Sequence, residues 1–152
     1  EDVSFALKDM GSVNIDAQLT NATAKLFSHD TDEAIAAGRE LALKAINLAV
    51  VDQGIGKVVL AAVSGEFGAD AEAMRPIYAD LVKGTIIAYL ADIAEAADLG
   101  EAVSQFVAGK AQNLKIGVTS KSENGISLDE FEAAEADPSA ILGKIDVTAS
   151  AQ

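Results

Sequence analysis

The residues of this chain best equipped for chemistry are oxygen donors. From Ser120 to Glu132 the order Ser120, Ser122, Asn124, Gly125, Ile126, Ser127 and Glu130 follows the outline of a calcium loop. Such a loop needs oxygens at its first, third, fifth and twelfth positions around a sharp glycine turn, with a bidentate glutamate closing the cage. With Gly125 as the turn, the early ligands are Ser120, Ser122 and Asn124. The twelfth position then falls on Phe131, and Glu130 stands one residue short. Two neutral hydroxyls without a closing glutamate make a poor cage. No metal site is expected, and Asn124, Asp129 and Glu130 are the weak candidates. The plainer reading is that Ser127 and Glu130 form a capping box that opens a helix.

The other polar candidates carry less. His29 is the single histidine and sits between Ser28 and Asp30 at a helix entrance. Adjacent side chains do not present themselves to each other, and a triad needs a nucleophile from elsewhere, so His29 reads as a surface or capping residue. Gly54-Ile55-Gly56-Lys57 looks briefly like a phosphate loop, but its first glycine lies too close to the Gly-Lys pair and no strand is expected before it. A glycine helix stop followed by a new helix start explains it better. The pairs Asp92/Glu95 and Asp129/Glu132 have helical spacing but lack the histidine that carboxylate di-iron helices supply. Cysteine is absent, which excludes disulfides, thiolate metal sites and thiol nucleophiles. Tyr78, Tyr89, Phe106, Phe67 and Phe131 are among the few large side chains of an alanine-rich chain. At helical spacing such rings ordinarily fill a core. They could instead line a slot for an apolar ligand such as a lipid, pigment or quinone.

Charge narrows the function classes. The 152 residues carry 11 Lys and Arg against 24 Asp and Glu, a formal net charge of −13. Phosphate neutralisation needs clustered cations, and those here are dispersed, so nucleic-acid binding is not expected. The same repulsion counts against anionic membrane surfaces. No apolar run is long enough for a transmembrane segment. The chain opens on Glu1 without an initiator methionine. Together with the acidity, this sets the expectation of an extracytoplasmic protein (secreted, periplasmic or in an organelle lumen) whose leader has been removed.

The elements that would position these residues read as helices. Pro76 suits a first helical turn and Gly100 a position just past a helix end. Between them Tyr78, Val82, Ile86, Tyr89, Leu90, Ile93 and Ala97 share one face. An earlier helix starts at a capping box, Asp30 with Glu33, and runs through Ala34, Ala37, Leu41, Ala45 and Leu48 to the Gly54 stop. A short apolar helix over Lys57 to Ser64 follows, and another amphipathic one carries Ala102, Val103, Phe106 and Ala111. Phe5 to Met10 suggest helical turns. Val13 to Leu19 and Ile145 to Ala149 alternate like strands, and could pair with each other or with Lys115 to Val118.

The expected fold is therefore all-α: a single-domain bundle of about five or six helices around a central helix (Pro76–Leu99), with room for a minor two-stranded element from the terminal segments. Within one domain, residues 1–28 form an N-terminal arm, 29–113 the helical core and 114–152 a turn-rich extension with short helices. With no catalytic constellation in view, the leading functional expectation is a non-catalytic accessory or structural subunit. It would dock on other protein subunits of an assembly through its helix faces and terminal arms. The alternative is a carrier of an apolar small molecule in the bundle core, with Tyr78, Tyr89 and Phe106 as the slot. A weak divalent-cation-binding protein, with calcium as the ion, comes third. No cofactor is called for.

Overall fold

The computed structural model describes residues 2–7, 10–66 and 70–152. In chain order the elements are β1 (Asp2–Leu7), β2 (Gly11–Thr20), α1 (Thr31–Arg39), β3 (Ala42–Asp52), α2 (Ile55–Glu66), α3 (Ala71–Tyr89), α4 (Ala96–Val107), β4 (Asn113–Ser120), β5 (Ile126–Ser127), α5 (Leu128–Ala136), α6 (Ser139–Leu142) and β6 (Ile145–Ala151). Among the described residues six strands form one sheet in the order β1-β2-β3-β4-β6, with β5 beside β3. All its pairings are antiparallel. The fold is thus mixed α/β, and the all-α bundle is not what this sequence builds.

Strand register separates two unlike faces, because side chains alternate along each strand. Val13 and Ile15 stand opposite Val50 and Leu48, these opposite Leu114 and Ile116, and these in turn opposite Ala151 and Ala149. The reverse face carries Asn14, Asp16, Asn47, Lys115, Thr148 and Ser150, with Asn47 Nδ2 donating to Asp16 Oδ1 at 3.2 Å. One apolar and one polar face is the ordinary state of an antiparallel sheet covered on one side.

The cover is α4. Its apolar residues Ala96, Leu99 and Val103 recur at helical spacing and lie over β6 and β4. Ile93, Ala96, Leu99, Ile126, Ile145 and Val147 form the buried cluster between helix and sheet. α3 packs on α4, and α2 on α3. A Cβ on Gly100 would lie 3.3 Å from Ile87 Cγ1 and from the Lys83 carbonyl oxygen, so glycine lets the α3 and α4 axes approach. Beside it Lys83 donates to Glu101 at 2.6 Å, and Gln105 Nε2 donates to the other carboxylate oxygen at 2.9 Å. The pair holds the Lys83 ammonium above, and the Glu101 carboxyl below, its ordinary range.

One irregularity shapes the sheet. The β2–β3 register shifts between Gln18, opposite Ala45, and Leu19, opposite Leu43, so Lys44 faces no β2 residue. Such an extra residue bends a strand. Here the bend carries β3 from β4 to β5, and brings Leu43 opposite Ile126. The Lys44 ammonium donates to the carbonyls of Ser120 (3.0 Å) and Ser122 (2.7 Å), tying the bend to the end of β4.

Several sequence expectations are corrected here. The central helix over Pro76–Leu99 is two helices broken at Leu90 to Glu95. Pro76 lies inside α3, where it removes the helical donor to the Glu72 carbonyl, and Asp70 is the cap instead. The helix read from Asp30 to Gly54 is α1 followed by β3. Ile46, Leu48 and Val50 line one face of β3, and Ala45, Ala49 and Val51 the other, so apolar letters on both faces also fit helical spacing. Phe5 belongs to a strand rather than a helical turn. Both terminal segments are strands of the main sheet rather than a minor two-stranded element. β6 pairs with β4, one of the pairings left open above, and β2 pairs with β1 and β3. Asp30 does cap α1, accepting from Asp32 and Glu33 N–H. The Glu33 carboxylate turns instead to the Ser28 hydroxyl at 2.7 Å, so that box is half made. Ser127 and Glu130 form the complete box.

Ile145→Ala in this cluster should lower unfolding free energy by about 2–5 kcal/mol. Phe5→Ala, at a residue 65% exposed, should change it by under about 1 kcal/mol. Urea unfolding of both variants checks the contrast.

Candidate functional site

α4 covers β4 and β6, and the apolar face continues beyond it. Val3, Phe5, Ile15 and Leu19, on β1 and β2, remain exposed. On the helical side Val58, Val59 and Val63 of α2 and Ile77 and Leu81 of α3 are exposed as well. Where this uncovered strip meets the helices lies a hollow of about 400 Å³. Val13 and Val50 form its floor, Ile55, Val59, Leu60 and Val63 one wall, and Tyr78, Phe106 and Val107 the other. Every one of these side chains presents carbon, apart from the single phenol oxygen.

The hollow ends at two charged residues, Asp52 and Arg75. Asp52 closes β3, and two residues later the chain turns at Gly54 into α2. Its Oδ1 accepts from the N–H groups of Gly54 (2.8 Å) and Gly56 (3.1 Å). The Ile55 N–H donates to the Met10 carbonyl at 3.1 Å. Gly54-Ile55-Gly56-Lys57 therefore does follow a strand, contrary to the sequence reading, yet its amides already have partners within the chain. Arg75 lies in the second turn of α3, and its side chain is 12% exposed. Nε and Nη2 donate to the two oxygens of Glu72 at 3.1 and 3.3 Å, and Nη1 donates to the Val107 carbonyl at 3.1 Å. That carbonyl is at the C-terminus of α4, where a cation is favoured by the helix dipole. Gly109, at φ +71°, lets the chain pass beside the guanidinium, since a Cβ there would come to 3.0 Å of Nη1.

The sequence-predicted residues divide. Tyr78 and Phe106 both line the hollow, brought together from α3 and α4. Tyr89 does not join them: it ends α3 and is 81% exposed. Phe67 lies outside the described residues. His29 is exposed before α1. Asn124 and Asp129 are exposed, and no metal-holding cluster of acidic or histidine side chains occurs among the described residues. Glu130 is engaged in structure. Lys144 donates to it at 2.6 Å and the Ser127 N–H at 2.9 Å, and these bonds hold its carboxyl down from 4.5 to about 2. Sequence reasoning missed Asp52 and Arg75. The signal for Asp52 was an Asp two residues before a glycine, the pattern of a side-chain turn. For Arg75 only the local Glu72 partner was visible, since Val107 lies 32 residues away.

A family described as "Uncharacterized protein" matches residues 4–152, and the chain belongs to it. No curated protein and no solved structure matches the chain. No helix among the described residues is long and apolar enough to cross a membrane.

Two substitutions test this geometry. Arg75→Ala leaves the Val107 carbonyl without its donor and should cost about 1–3 kcal/mol in urea unfolding, whereas Glu72→Gln, at an exposed carboxylate, should cost under about 1 kcal/mol. Because the folded Glu130 carboxyl titrates below its unfolded value, its contribution is full above about pH 5 and lost as pH falls toward 2. The melting temperature of Glu130→Gln should lie below wild type at pH 7 and converge with it near pH 2.

Proposed function

We propose that this chain binds an apolar small molecule in the hollow between the sheet and α2–α4. The single observation behind the reading is a hollow of about 400 Å³ with carbon-lined walls in a chain of net charge −13. Small-molecule sites are concave, mostly apolar and of this size, with a few polar groups at fixed places. Tyr78 and Phe106 supply flat walls, and the β-branched residues of α2 and β3 supply stiff ones. Of the titratable groups that line the space, Asp52 is bonded to the Gly54 and Gly56 amides and Arg75 to Glu72 and Val107, which supports a reading of binding without catalysis.

The accessory-subunit reading is second. The observation in its favour is the apolar strip of Val3, Phe5, Ile15 and Leu19 on one face of β1 and β2. Contiguous exposed apolar surface marks interaction sites. Docking through β6 would work against the fold, because Ile145 and Val147 are buried under α4.

A neutral solvatochromic probe, Nile red, separates the two. Wild-type protein should bind it saturably at one site per chain. Val59→Trp, which fills the hollow from a half-exposed position, should weaken binding by about tenfold with little change in melting temperature. Absent saturation, or undiminished binding in Val59→Trp, overturns the proposal. Phe5→Asp should leave the probe affinity unchanged.

A further inference from the structure

A second hollow of about 360 Å³ adjoins the apolar one, and the two share Asp52 and Arg75 in their linings. The second space is polar and adds Lys57 and Glu72 to the rim. The formal charges there cancel, but their engagement does not. Asp52 takes the Gly54 and Gly56 amides on Oδ1 alone and keeps Oδ2, whereas both oxygens of Glu72 are taken by Arg75. On the cationic side a guanidinium offers five N–H donors, of which Glu72 and Val107 account for three. Lys57 is exposed, and its ammonium has no partner among the described residues. Against the one remaining oxygen of Asp52 stand two N–H donors of Arg75 and the whole Lys57 ammonium, so the capacity left at the polar end is donor-rich, beside a carbon-lined space.

We infer that the ligand is a single-chain amphiphile, its apolar tail against Val13, Val50, Leu60 and Phe106 and one anionic head, carboxylate or phosphate, on Lys57 and Arg75. This assignment rests on the apolar-ligand reading above and adds the head group to it. Carboxylate and phosphate both match the planar fork of a guanidinium, with the lysine as a second point charge. The net charge of −13 repels an anion at long range, but that repulsion is screened beyond about 10 Å at ordinary salt, and the two cations act at contact.

The test is displacement of Nile red from the full chain by dodecanoate, dodecyl phosphate and dodecanol, each below its aggregation limit. Dodecanoate and dodecyl phosphate should displace the probe at least about tenfold more tightly than the alcohol. Whichever of the two anions binds better identifies the head chemistry. In Lys57→Gln, a surface change that leaves the fold intact, the margin over the alcohol should shrink by about threefold or more, and in Arg75→Gln it should shrink further. Equal displacement by the alcohol and the anions overturns the head-group assignment and leaves the apolar site standing. A margin undiminished in both variants does the same. If none of the dodecyl compounds displaces the probe, or the probe does not bind, the head-group assignment and the apolar-ligand reading fail together.

Discussion

The burial of Ile145 and Val147 under Leu99 and Ala96 is the contact on which the other elements depend. An antiparallel sheet of this pattern has an apolar face that must be covered, and α4 is the element that covers it. Its position is set from both sides. β6 reaches the sheet only by pairing with β4, and α4 reaches β6 only because the chain breaks at Leu90 to Glu95 and turns back. α3 is then held on α4 by the close approach at Gly100 and the Lys83–Glu101 bond, and α2 is held on α3. α4 lies over β6 and β4, while β1 and β2 keep exposed apolar residues beyond it. The hollow and the exposed strip on β1 and β2 both arise from that partial cover.

Cations are scarce in this chain, and most of those with partners stand where elements meet. Lys44 fixes the bend in β3, Lys83 joins α3 to α4, Lys144 ties the entrance of β6 to the cap of α5, and Arg75 links α3 to the end of α4. Exposed pairs of this kind add little stability individually. Their value is geometric: each selects one packing arrangement among the several that apolar surfaces alone would accept. Arg75 is the case that also bears on the proposed function, since the same guanidinium that caps α4 lines the hollow.

The two hollows proposed as a binding space are built without dedicated motif residues. The carbon walls come from ordinary strand and helix positions, and the polar end comes from a turn, a helix cap and one lysine. No short sequence pattern encodes such a site, which explains why the calcium outline and the glycine-lysine run drew attention while Asp52 and Arg75 did not.

Local chemistry was legible in the residues alone. The caps at Asp30 and Ser127 and the alternation of Val13 to Leu19 and of Ile145 to Ala149 each depend on neighbours within a few positions. The acidity, the absence of cysteine and the scarcity of aromatic rings were equally plain. The class of the fold was not. Ala42 to Asp52 is apolar on both faces, and alanine favours helix by only tenths of a kcal/mol, so pairing with β2 and β4 outweighs it. Those partners lie some thirty and seventy residues away in the chain, and register cannot be read from one strand. The site follows the same rule. Tyr78 and Phe106 could be named as slot residues and Tyr89 with them. Which two of the three meet was settled by where α3 ends and how α4 folds back, a matter of packing between elements and not of spacing within one.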